Sequence, residues 1–525
     1  MRTFLNIANK LAKLLRLDKK KKQVSLFCVR LFVTLQTISE QGMEETLKDK
    51  TAKGLFWGGM SNAFQQVVGV VFGIILGRLL DRSDYGMIAM ITIFSLIASE
   101  LQNGGFKVAL INQKVVDKRD YNAVFWFNVL TSITVYLLLF FASPLIARYY
   151  HQPALVWLCR YAFLSFVLAS FGVAQLAWLT KHFKIRELSQ CGMISVLLSS
   201  AIGALMAWLK FGYWALATQN LLFIIINTLL VWRISHWRPT LRIDLRPAVR
   251  MFPFSAKIMF SGILTHINVN VMNIMLGRHF SAQSTGDYNQ AYQWSSKCYI
   301  LVQNMLKQVD QNVLAGLRDE RERQLYVLRK MMRFTSFVSF PLLFGLGLVA
   351  HEFIVLTIGE KWATSASLLP LLCISGAFIP LTTLMADSIL AHGRSDFYMW
   401  CTVLLGVVQI VLMSILWPYG MRVMVEVFVV VNLLWVVVWF FFTHRLTGYG
   451  WLALGRDVLP FALSALGVMV FTHFLTLSVR PLWLLLASRG VTAALLYYVV
   501  LRVAHVKILA DCQQFISSRL KRKRN

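Results

Sequence analysis

Two stretches of this sequence carry basic and amide side chains at helical spacing inside otherwise apolar runs. Over 251–276, Lys257, Ser261, Thr265 and Asn268 are spaced by four, four and three, which puts them on one helical face. Over 288–314, Gln293, Lys297, Asn304, Gln308 and Gln311 follow by four, seven, four and three, again one face, with Lys307 beside it and Asp310 near its end. A lysine turned toward lipid at mid-depth costs at least about 2.5–3.5 kcal/mol. These faces are therefore expected to line a wet cavity, where ammonium and amide groups suit an anion. Lys297, roughly ten residues into its run, is the strongest candidate; Lys257, near the start of its run, has snorkelling to the surface as an equal alternative. The first long apolar run adds Ser61, Asn62, Gln65 and Gln66, followed by Gly69, Gly73 and Gly77 at the spacing of close helix packing. Weaker candidates are Glu100, Gln102, Asn103 and Lys107, then Asp387, five residues before His392, and Arg489, inside the last apolar run.

Recognisable catalytic chemistry is absent from the pattern. No HExxH, P-loop, GxSxG or EF-hand spacing occurs. His266, His279, His351 and His473 stand apart from one another. The seven cysteines are scattered without a CxxC pair, so neither a zinc site nor a disulfide framework is expected. No metal and no cofactor are expected.

The elements that must position these residues are membrane helices. Of the 525 residues 57% are hydrophobic and 15% charged, against about 25% charged in soluble domains. Runs of about 20 apolar residues occur at 55–80, 86–110, 122–147, 154–180, 190–209, 212–232, 251–276, 288–314, 334–358, 364–391, 397–417, 423–444, 457–477 and 481–503. The sequence thus predicts an all-α polytopic membrane protein of about fourteen spans. With the N-terminus placed in the cytoplasm, the inner loops and tail hold 27 Lys and Arg against 8 outside. The positive-inside rule then puts both termini in the cytoplasm. This asymmetry accounts for the net charge of +29 as anchoring to anionic membrane lipids, and nucleic acid is not expected as a partner. The outer loops are at most about a dozen residues, which argues against an enzyme with an outer acceptor site. Residues 1–42 form a basic extension too short in its apolar part to span, and Met43 reads as a second start.

An internal repeat appears at an offset of 200: Ser61 with Ser261, Leu76-Gly77-Arg78 with Leu276-Gly277-Arg278, Gly86 with Gly286. Six spans separate the copies, so both halves enter the membrane in the same direction. The expected organisation is a first lobe over 43–250, a second over 251–447, two further spans over 448–505 and a basic cytoplasmic tail over 506–525. The substrate path of such a repeat runs between the lobes. Arg78 and Arg278, at helix ends in the repeat, read first as anchors at the outer interface.

The stretch Lys53-Gly-Leu-Phe-Trp-Gly-Gly-Met-Ser-Asn62, its continuation to Leu76-Gly-Arg78 and Asp84-Tyr-Gly-Met87 resemble the opening of bacterial polysaccharide flippases. Gly277-Arg278, Gly286-Asp-Tyr288 and Asn289-Gln-Ala-Tyr292 resemble their second half. The likeness covers about residues 44–505. It is to the lipopolysaccharide O-unit and colanic-acid exporter type, within the multidrug/oligosaccharidyl-lipid/polysaccharide superfamily. The resemblance implies a V-shaped pair of six-helix lobes with alternating access. It implies an oligosaccharide on undecaprenyl pyrophosphate, carried from the cytoplasmic to the periplasmic leaflet of the inner membrane. It implies a cationic central cavity, for which Lys257, Lys297, Lys307, Arg78 and Arg278 are the candidates, with Asn62, Gln65, Asn268, Gln293 and Asn304 as polar lining. Asp387 and Asp310 are the candidates for ion coupling, and polysaccharide assembly proteins are candidate partners. The competing readings are a drug or cation antiporter of the same superfamily, which would want cavity carboxylates, and a membrane polymerase or ligase.

Overall fold

A computed structural model describes residues 47–103, 117–241, 243–307, 320–504 and 508–509, and every regular element among them is helical. The chain divides into two compact units, residues 1–56 and 57–525. Of the first, only helical residues from 47 onward are described; the extension 1–42, Lys107, Gln308, Asp310 and Gln311 lie outside the described residues.

The first six long helices are α1 (Leu47–Leu79), α2 (Arg82–Asn103), α3 (Lys118–Tyr149), α4 (Leu155–Lys181), α5 (Ile185–Trp208) and α6 (Tyr213–Ile234). Then come α7 (Arg246–His279), α8 (Ala282–Lys307), α9 (Arg321–Leu348) and the short α10 (Ala350–Ile358). The chain ends in α11 (Ala363–Ala391), α12 (Ser395–Leu416), α13 (Met421–Thr447), α14 (Trp451–Leu475) and α15 (Leu482–Val503). Twelve helices among the described residues are long and apolar enough to cross a membrane. α8 stands outside this set because Lys297 and the amides noted above lower its apolar content, and the first turns of α7 carry side chains outside the described residues. The protein is a multi-pass membrane protein. Its helices expose large apolar side chains, such as Leu138, Phe141 and Leu145 along α3, which only lipid can cover.

Interiors are filled as membrane bundles require, with small hydroxyl residues at helix contacts. Ser195 donates to the Cys191 carbonyl at 2.7 Å and Ser336 to Met332 at 2.8 Å, so these buried hydroxyls are satisfied within their own helices. α9 begins thirteen residues before the apolar run at 334–358, inside the arginine-rich segment read as loop, and breaks at Val349. Arg329 and Arg333 on that extra length clamp the fully buried Asp457 of α14; the Arg329 Nε distance to Asp457 Oδ2 is 2.7 Å.

The repeat is visible in the packing. Gly86 of α2 and Gly286 of α8 sit where the two helices cross: an added Cβ on Gly86 would collide with the Ala282 carbonyl, and one on Gly286 with the Arg82 carbonyl. Only glycine allows backbones to approach so closely. Arg82 reaches Asp287 across this crossing at 3.2 Å. The hydrophobic cores interlock at the same place. Ala282 of α8 packs into the core of α2, α3 and α4, and Leu76, Leu80 and Tyr85 pack into the core of the later helices.

Candidate functional site

Lys297 sits midway along α8, where a lysine has no water to reach unless the neighbouring helices leave some. Its ammonium lies 4.1 Å from the centroid of the Trp294 ring, one turn back. Trp294 is itself buried and braced edge-on by Phe353 of α10. Among the described residues Lys297 has no carboxylate and no hydrogen-bond partner; the aromatic face is what holds it. The charge points at α1. An added Cβ on Gly73 would stand 3.4 Å from the Lys297 ammonium nitrogen, and one on Gly77 would stand 3.5 Å from Gln290 Nε2. One turn before Gly73 on the same α1 face, Gly69 has nothing within 4 Å among the described residues. α1 and α8 therefore touch around Gly73 and Gly77 and leave space toward Gly69.

Gln293 and Asn304 share the Lys297 face of α8, one turn before and two turns after, and both are half-buried. Lys257 lies on α7 and Lys307 ends α8, with their side chains outside the described set. Asn62 is exposed on α1. The other candidates are placed elsewhere. Gln65 donates its amide to Ser61 Oγ at 3.0 Å and lies against Gly192, while Ser61 donates to the Ser189 carbonyl, so these side chains tie α1 to α5. Asn268 donates to the Thr402 carbonyl at 2.7 Å, with Gly406 giving it room, and ties α7 to α12. Asp387 is half-buried on α11. Arg78 and Arg278 stand at the ends of α1 and α7, away from Lys297 in sequence depth, and bond backbone carbonyls of distant helices.

Two pairings lay beyond sequence reasoning. Glu100 of α2 meets His266 of α7 at 3.2 Å, beside Gly262, although 166 positions separate them. Arg489 of α15 meets Glu352 of α10 at 2.7 Å, both nearly fully buried, and also bonds Thr476 and His473. The only hint for the second was a lone charge within an apolar run, which demands a partner from another helix.

Fold and site together define a class: a multi-pass helical membrane protein that keeps between two of its helices an ammonium group with no counter-charge among the described residues. The family model described as polysaccharide biosynthesis protein matches residues 75–367, more than half of the chain. The chain belongs to that family. Teichuronic acid biosynthesis protein TuaB of Bacillus subtilis is 26% identical over 345 residues, covering 65% of this chain and 71% of the relative. Lipopolysaccharide biosynthesis protein WzxC of Escherichia coli is 25% identical over 359 residues, covering 67% and 72%. Succinoglycan biosynthesis transport protein ExoT of Rhizobium meliloti is 24% identical over 424 residues, covering 80% and 83%. Among solved structures, the lipid II flippase MurJ in an inward closed conformation has the same fold, with a TM-score of 0.68 at 14% identity over 86% of this chain and 99% of that one.

Proposed function

We propose that this protein carries an oligosaccharide linked to undecaprenyl pyrophosphate from the cytoplasmic to the periplasmic leaflet of the inner membrane, by alternating access. It is a transporter rather than a polymerase or ligase. Two lobes, 43–250 and 251–447, move against each other, with α14 and α15 attached to the second. α7 and α8 complete fourteen crossings, with the Lys297 face of α8 turned to the path. Both termini lie in the cytoplasm, as the 27-to-8 charge asymmetry requires. The turns joining α1 to α2 and α7 to α8 are then at the outer side. The reading is supported by the family, by relatives named for polysaccharide biosynthesis and transport, and by the shared fold with a lipid II flippase.

The observation that carries it is Lys297. An amine with no carboxylate partner among the described residues, held over an aromatic ring beside Gly73 of α1 with space toward Gly69, is a site waiting for an anion. A pyrophosphate satisfies it; a cationic drug does not. Gln293 and Asn304 on the same face offer hydrogen bonds to the head group or first sugars. The prenyl tail remains in lipid. The membrane potential, negative inside, favours outward movement of the anion: two charges crossing 100 mV gain about 4–5 kcal/mol.

The test is chemical. Lys297→Ala, produced at the wild-type level in a strain deleted for its own copy, is expected to abolish surface polysaccharide and to cause accumulation of the lipid-linked oligosaccharide. Lys297→Arg is expected to restore part of the export, since it keeps the charge. Wild-type export by Lys297→Ala overturns the assignment.

A further inference from the structure

The Leu-Gly-Arg turn occurs twice, 200 positions apart, and each copy is docked on the other half of the chain. At the end of α1, Gly77 lies against the end of α10: an added Cβ would come within 2.7 Å of Ile358 Cγ2. The next residue, Arg78, donates from Nε to the Thr357 carbonyl at 2.6 Å and from Nη2 to the Leu356 carbonyl. At the end of α7, Gly277 lies against the end of α3: an added Cβ would come within 2.8 Å of Tyr150 Cε1. Arg278 then donates to the Tyr149 carbonyl, the last residue of α3, stands 2.8 Å from His151 Nε2 and covers the Tyr149 ring at 4.9 Å.

The two contacts are the same contact made reciprocally. In each, the first helix of one half uses a glycine to approach, and an arginine to cap, a helix end in the other half: α3 in the first half, and in the second half α10, which continues that half's third helix, α9. Carbonyls in a last helical turn lack partners within the helix and carry the negative end of its dipole, so a guanidinium suits them. Lys361 and Trp362 reinforce one side by donating to the Leu80 and Gly77 carbonyls at 2.6 and 2.8 Å. Between the two contacts lies the Gly86–Gly286 crossing.

We propose that the two Leu-Gly-Arg turns form a reciprocal clasp that shuts the outer end of the transport path, and that both turns let go together when that end opens. The statement that the clasp closes an exit rests on the transport reading; the clasp itself does not. Its chemistry suits a reversible latch. The acceptors of Arg78 and Arg278 are uncharged, and Arg78 is exposed to solvent, so letting go of these two arginines strands no carboxylate, while the Arg82–Asp287 pair at the crossing is the charged contact that opening also separates. The buried Arg489–Glu352 pair is the opposite case, a joint that opening would leave intact.

Spin labels on cysteines replacing Ala154 and Gln283, both exposed at the outer end in opposite halves, report the clasp by pulsed electron paramagnetic resonance. The protein is the full chain in lipid nanodiscs, with its native cysteines replaced. The parent is expected to give one dominant short distance. Arg78→Ala and Arg278→Ala are each expected to raise the ratio of a longer population to the short one by roughly three- to tenfold, the worth of a partly solvated charged hydrogen bond. The double variant is expected to combine both effects, and Arg78→Lys with Arg278→Lys to shift the ratio less, which guards against simple misfolding. An unchanged distribution in the double alanine variant overturns the clasp, and so does a full effect from one arginine with none from the other. Flipping of a lipid-linked oligosaccharide in proteoliposomes separates the two readings. A widened outer end without any flipping by the parent keeps the clasp and removes the transport reading; flipping by the parent with unchanged distances removes the clasp.

Discussion

A lysine within a membrane is costly unless something stabilises its charge or brings water to it. In Lys297 the stabiliser is an aromatic face, worth about 0.5–2 kcal/mol, which leaves the charge available. Gly73 sets how closely α1 approaches that charge. Gly73→Ala is expected to be tolerated, since its Cβ would stand at an ordinary 3.4 Å from the ammonium nitrogen. Gly73→Leu is expected to push Lys297 off the Trp294 ring and to reduce export at least about tenfold, the cost of losing one charged hydrogen bond to substrate. Export scored against the amount of protein in the membrane decides it; full export by Gly73→Leu means that α1 does not face the path there. Lys297 was legible in the sequence because its cost is local. The partners of Ser61 and Asn268 were not, because Ser189 and Thr402 are supplied by other helices.

At the scale of elements, buried ion pairs fix α14 and α15 to the rest. Arg489 lies within an apolar helix and reaches Glu352 on α10, while Asp457 of α14 receives Arg329 and Arg333 from α9. Removing one partner of a buried pair leaves the other uncompensated and costs about 3–5 kcal/mol. Arg489→Met is therefore expected to lower the unfolding temperature in detergent markedly, and Arg489→Met with Glu352→Leu to recover much of the loss. Equal destabilisation by the single and double variants contradicts the pairing. α10 carries Glu352 in its first turn and the Arg78 acceptors in its last, so this nine-residue helix connects the C-terminal pair to the clasp. The sequence joined it to α9 as one span, since both are apolar and Gly345 and Gly347, just before the break at Val349, read as part of the same apolar run.

For the whole molecule, the crossing number turns on α7 and α8. Among the described residues twelve helices qualify by apolar length, and the charge asymmetry fits fourteen crossings. Reporter fusions decide between them. Fusions after Leu241 and after Glu320 are expected to read as cytoplasmic, and one after Ser281 as periplasmic. If α7 and α8 do not cross, the Ser281 fusion reads cytoplasmic as well. The glycine crossing at Gly86 and Gly286 belongs to the same scale, because one Cβ there would hold the halves apart.

The sequence by itself determined the membrane class and most helix positions, and it set the expectations of orientation, of a two-lobe repeat and of a lysine inside the membrane. Each follows from a chain's local encounter with its solvent: apolar length must match the bilayer, and basic loops stay on one side. The tertiary structure alone decided which polar groups join helices and to what. Glu100 with His266, Arg489 with Glu352 and the exchanged Leu-Gly-Arg turns are meetings of residues more than 120 positions apart. Inside a bilayer no water competes for such groups, so each bonds to whatever the neighbouring helix presents, and only packing settles what that is.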